Sequence, residues 1–297
     1  MRIKEFFRLG KESVAAWQED GASSMGAAIA FYTTFSIAPL LIIVIAVAGF
    51  VWGEDAVRGE IFRQIGGMVG TENASGVQNL IKSADKPAQG ITATLASVIV
   101  LVVGSTTVFA ELQGALDRIW KVPASTVKTG ILATLRARLL SFGLVLGLAF
   151  LLLVSLVLSA ALAAFGQWTS GLFPGWELLL QLINAVVSLG IATVLFAMIY
   201  KFMPQAKIDW RDVWVGAFVT AVLFEVGKAL IALYVGKSST ISSLTAAGSL
   251  VMVLIWVYYA AQVFLLGAEF TWMYARRYGS RRSAEEESGS DLVAKQP

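Results

Sequence analysis

WRDVWVGAFVTAVLFEVGKALIALYVG, from Trp210 to Gly236, is apolar enough to cross a bilayer and exceeds the roughly 20 residues a spanning helix needs. It nevertheless carries Glu225 and Lys228 near its middle. One charge at the centre of a spanning helix costs about 2.5–3.5 kcal/mol on insertion scales, so two unrelieved charges would make insertion of this segment doubtful. Their spacing offers relief, because residues three apart share a helix face and the ammonium can meet the carboxylate. The hydrogen-bonding capacity left over cannot be satisfied by hydrocarbon, so this face is expected to look into protein or water. A structural ion pair that fixes helix packing and an intramembrane contact for substrate, ion or proton are both compatible with the pattern.

Working outward, the 297-residue chain is 57% hydrophobic and 14% charged. Soluble proteins carry about 25% charged residues, so the composition is that of a polytopic membrane protein. The chain has neither Cys nor His. Disulfides, Cys/His zinc sites and imidazole-assisted nucleophiles are thereby excluded, and any metal would need oxygen ligands. A net charge of +3 gives no case for nucleic acid. Neither cofactor nor metal is expected, and no cleavable signal is read at the N-terminus.

The expected fold is all-α: a membrane helix bundle of six spans. They fall at about residues 27–52, 91–110, 139–165, 177–200, 212–236 and 246–272, within a membrane region 21–273. Residues 1–20 read as an interfacial amphipathic helix, with Ile3, Phe6, Phe7, Val14 and Trp17 near one face. Packing of that helix on the bundle is the alternative. Between Glu54 and Gly90 the pattern suggests two short extracytoplasmic helices broken by Gly66, Gly67 and Gly70. Leu112 to Pro123 reads as a short helix ending at Trp120. Residues 274–297 form a basic, then acidic tail expected to be disordered.

Most of the 23 Lys and Arg fall before span 1, between spans 2 and 3, between spans 4 and 5, and after span 6. The positive-inside rule then puts both termini in the cytoplasm. Of the nine Trp, only Trp256 falls deep within a span, as expected for interfacial anchors.

Pro39 removes a helical hydrogen bond inside span 1 and is a candidate hinge. On span 6, Tyr258, Gln262 and Glu269 share a face, and on span 1 Tyr32 and Ser36 do the same. A candidate binding cavity is therefore lined by Tyr32, Ser36, Glu111, Tyr258, Gln262 and Glu269, with Glu225 and Lys228 above it. Ordinary interhelical hydrogen bonding is the competing reading. No phosphate-cradling loop and no carboxylate cluster for two metals is present, so no enzyme is expected.

Four blocks carry a family resemblance: AAIAFYTTFSIAPLLIIVIAV from Ala27, LQGALDRIWKV from Leu112, the run from YKFMP at Tyr200 through Gly236, and GSLVMVLIWVYYAAQVFLLGAEF from Gly248. In this order and spacing the chain resembles the YihY/virulence factor BrkB-like inner-membrane proteins over about residues 15–278. The resemblance implies a multi-pass protein of the bacterial inner membrane with six helices. It supplies no activity, and the family's older ribonuclease BN label finds no support in these residues. The expectation is a transporter-like protein that binds or moves a small or amphiphilic envelope solute. The alternative is a non-transporting scaffold for envelope assembly, and a membrane-associated hydrolase comes third. Membrane lipids are the expected partners, with self-association left open.

Overall fold

The computed structural model describes residues 3–69, 107–123, 176–206, 208–237 and 246–281. Among them every regular element is helical: α1 (Ile3–Glu19), α2 (Ala22–Trp52), α3 (Glu54–Val69), α4 (107–119), α5 (Trp176–Phe202), α6 (Trp210–Lys237) and α7 (Ala246–Arg277). Three of these helices, α5, α6 and α7, are long and apolar enough to span a membrane, and α2 makes a fourth if its two bent parts count as one span. Most of the expected span 2, and all of span 3, lie outside the described residues, as does the second extracytoplasmic helix.

α2 is bent by 50° between Ala22–Ile37 and Leu40–Ala46. The bend falls at Pro39, whose missing N–H and bulky ring make kinks in otherwise regular helices.

α7 is the helix on which the others converge. It packs against α1, α2, α3 and α6, while α5 packs on α6. Lipid tails are as apolar as leucine, so burial of apolar surface does not by itself drive spanning helices together; close packing and hydrogen bonds must. The α6–α7 contact uses both. A Cβ at Gly216 would overlap Thr271, one at Gly267 would overlap Thr220 and Tyr200, and one at Gly227 would overlap Tyr259. The hydroxyls of Thr220 and Thr271 donate back to their own helices, to Gly216 O at 2.8 Å and Gly267 O at 2.7 Å. Tyr200 of α5 then reaches across: its hydroxyl donates to Phe264 O at 2.7 Å and lies 3.0 Å from Thr220 Oγ1. One buried phenol thus ties three helices.

The main core surrounds this knot. It gathers Ala22 and Ile29 of α2, Leu116, Ile119 and Trp120, Ala197 and Tyr200 of α5, and Leu265, Ala268 and Trp272 of α7. A smaller cluster joins Ile45, Val57, Val253 and Trp256 towards the other end of α7. Trp256 is buried there, edge-on to Phe224 at 6.0 Å, consistent with its depth in the sequence.

Two expectations need correction, one at α3 and one at the C-terminal end of α7. α3 runs unbroken through Gly66 and Gly67, because Ile61 and Ile65 pack on the Trp256 cluster and offset a helix penalty of about 1 kcal/mol per glycine. In α1, Leu9 and Ser13 are buried, while Phe7 and Val14 on its apolar face stay exposed. Finally, order continues past residue 274. Arg277 pairs with Glu12 of α1 at 2.6 Å, and Ser280 donates to Asp212 from its amide at 2.9 Å and its hydroxyl at 2.7 Å.

The glycine contacts give a direct test. Gly267→Ala should destabilise the protein by about 1–3 kcal/mol, as overpacking does. Gly10→Ala, where a Cβ meets nothing within 4 Å, should be neutral or stabilising by up to about 1 kcal/mol. Thermal unfolding in detergent measures both, and equal midpoints for the two variants would contradict the close α6–α7 approach.

Candidate functional site

Two polar stations stand out. The first is on α6, where Lys228 Nζ donates to Glu225 Oε1 at 2.7 Å and lies 2.6 Å from Oε2. The side chains are 35% and 30% exposed, so the pair is neither sealed in the core nor free of the bundle. The apolar residues Val226 and Leu230 are exposed on a different side of the same helix. Between the two charged residues in sequence, Gly227 lets the ring of Tyr259 lie against α6, where its hydroxyl donates to Leu223 O at 3.4 Å. Tyr259, rather than its neighbour Tyr258, is thus the tyrosine turned towards α6; Tyr258 is exposed.

The second station is on α7 at the end where α1 meets α2. Glu269 is 1% exposed, and neither carboxylate oxygen has a hydrogen-bond donor. The charged groups acting on it are Asp20, Lys121 and Glu19. Asp20 and Lys121 are each brought there by an identifiable backbone device. Gly21 adopts φ 70°, the left-handed conformation glycine tolerates, and turns α1 into α2 beside Asp20. Lys121 adopts φ 51°, which costs a residue with a Cβ roughly 1–2 kcal/mol. Its ammonium pairs with the Asp20 carboxylate, which compensates. Next to it Trp120 is fully buried, and its indole N–H donates to Ala268 O at 3.2 Å. α4 is held in turn by Asp117, which accepts from the Gln205 amide at 2.7 Å. Burial pushes the Asp117 carboxyl above the usual range, and the Gln205 hydrogen bonds pull it back part of the way.

The remaining candidates are spread out. Gln262 sits against the close approach of α2 at Gly26, with Nε2 donating to Ser23 O at 3.3 Å and a buried Oε1 lacking a donor. Ser36 is buried in α2, and Tyr32 packs edge-on to Phe31 at 5.6 Å. Glu111 is half-buried on α4. Tyr258 and Glu269 are separated by about 16 Å of helix rise, so α7 strings its polar groups along its length. Sequence reasoning missed Asp20, Lys121, Tyr200 and Thr220. Asp20 and Lys121 are distant in sequence, and the one usable signal was their position beside Gly21 and Trp120. Among the described residues no cluster of three or more acidic side chains could hold a metal ion.

Membrane-length helices joined through small residues and buried hydroxyls define an integral membrane protein of the helix-bundle class. The Virulence factor BrkB family matches residues 13–291, and the chain belongs to that family. It is similar to a UPF0761 membrane protein of Ralstonia nicotianae, at 27% identity over 84% of this chain and 55% of that protein. It is also similar to the UPF0761 membrane protein YihY of Salmonella typhimurium, at 29% identity over 63% of this chain and 61% of that protein. A UPF0761 membrane protein of Klebsiella pneumoniae is 31% identical over 58% of this chain and 56% of its own length. The chain thus spans little more than half the length of these relatives. No solved structure shows a significant match.

Removing one member of the Glu225–Lys228 pair leaves the other charge uncompensated, whereas removing both leaves none. Glu225→Gln and Lys228→Met should each destabilise by roughly 1–3 kcal/mol, reduced from the fully buried case because the pair is a third exposed. The double variant should recover at least half of the summed loss. Additive losses in detergent unfolding would show that the two charges do not act on one another.

Proposed function

We propose that this chain is a transporter-like protein of the bacterial inner membrane that binds or moves a small or amphiphilic envelope solute. The observation that carries the reading is the Glu225–Lys228 pair. Opposite charges lie side by side in a helix of membrane length, a third exposed. An ionisable pair at that depth is expensive unless it faces protein or water, and such residues mark solute or ion pathways by default. A carboxylate beside an ammonium offers complementary contacts to a zwitterionic or strongly hydrogen-bonding head group. The apolar exposure of Val226 and Leu230 leaves room for acyl chains on the same helix. The 50° bend of α2 supplies a place where one half of a span could move relative to the other. In this reading six spans cross the membrane, both termini are cytoplasmic, and the chemistry is binding and movement rather than bond cleavage.

A scaffold that assembles envelope components without moving them is the second reading. It is favoured by the Tyr200 tie, which locks α5, α6 and α7 together at one end.

Native mass spectrometry of the protein extracted from its own membranes separates the two. The transporter-like reading expects a retained amphiphile, lost or reduced at least five-fold in Glu225→Gln and in Lys228→Met while both variants stay folded. Equal retention in all three proteins, or none in the unaltered protein, would favour the scaffold.

A further inference from the structure

We propose that Glu269 and Asp20 form an acid pair that binds one proton between them, with Lys121 as counter-ion, making the end of the bundle where α1, α2, α4 and α7 meet a proton-binding site. This proposal does not rest on solute binding at Glu225 and Lys228.

The geometry starts from an imbalance of donors. Glu269 is 1% exposed and both of its oxygens lack a donor. A buried acceptor without a donor costs about 1–3 kcal/mol, more if it is charged. The Asp20 carboxyl is among the charged groups acting on it, and two carboxylates hold no donor between them. The Lys121 ammonium already serves Asp20, through both of its oxygens. Glu19 adds a further negative charge. On α6, Asp212 is turned to the amide and hydroxyl of Ser280. One added proton completes the set: the Glu269 O–H donates to an Asp20 oxygen, Asp20 keeps its bond to Lys121, and the three groups together are neutral.

Size selects the ligand. At 1% exposure no solute or hydrated ion reaches Glu269, and the described residues hold no cluster of acidic groups suited to a metal. A proton needs only a chain of exchangeable groups. Exposure grades outward along such a chain, from Glu269 through the Asp20 side chain at 14% to the Lys121 side chain at 55%. On binding, an oxygen of the Glu269 carboxylate takes a proton from hydronium and releases water; release is the reverse, and nothing else is made or broken. The site is anchored to the fold at each corner, through the left-handed turns at Gly21 and Lys121 and the Trp120–Ala268 hydrogen bond. Loss of the proton puts a second, unpaired negative charge inside that knot.

Infrared spectroscopy of the full-length protein in nanodiscs tests this without altering the site. Neutral samples should show a carboxylic C=O stretch that shifts on 13C-glutamate labelling but not on 13C-aspartate labelling, and that disappears on alkalinisation. Glu269→Gln should abolish the band, and Asp20→Asn should move its frequency. Absence of any glutamate-derived protonated carboxyl band in the unaltered protein at neutral pH, or its persistence in Glu269→Gln, would overturn the proposal.

Discussion

α6 and α7 approach closely where Thr271 packs onto Gly216 and Thr220 onto Gly267, and the bundle is arranged around that contact. In a lipid environment greasy surface gives helices no reason to prefer one another over acyl chains, so proximity itself must be stabilising. Close approach multiplies dispersion contacts and brings Thr220 within reach of Tyr200, whose hydroxyl also caps a carbonyl of α7. With that register set, α7 presents Ala268 to Trp120, Glu269 to the α1–α2 turn and Arg277 to Glu12. A one-residue slip would rotate each of these groups by about 100° and undo them all.

The sequence announces the membrane class because bilayer thickness and the cost of unpaired backbone leave few options. It also announces the Glu225–Lys228 pair, since a three-residue spacing on a helix is local information. The Glu269 station was only half legible. That Glu269 lay on the polar face of the last span could be read from its offset to Gln262. That Asp20 and Lys121 would meet it could not, because those contacts close over a hundred or more residues and depend on two left-handed turns. Polar residues next to each other in a helix differ by about 100° in direction, and only the close approach at Gly227 decides which one is turned to α6.

At both stations a charged side chain is met by an opposite charge. At the first, two opposite side chains neutralise each other on a single helix. At the second, three distant segments are folded together around one acid, with strain at Lys121 offset by its ion pair. The first is about a third exposed and the acid at the centre of the second is buried. Burial therefore separates their roles more sharply than their chemistry does.

The absence of cysteine from the chain permits the most direct test of this account. Spin labels attached singly at Glu225→Cys, Lys228→Cys, Val226→Cys and Leu230→Cys can be compared in lipid bilayers for relaxation by a water-soluble nickel chelate and by oxygen, which partitions into lipid. Labels at 225 and 228 should respond to the chelate at least several-fold more than those at 226 and 230, which should favour oxygen. Oxygen-dominated relaxation at 225 and 228 would mean that the two charges face hydrocarbon, and would contradict the account.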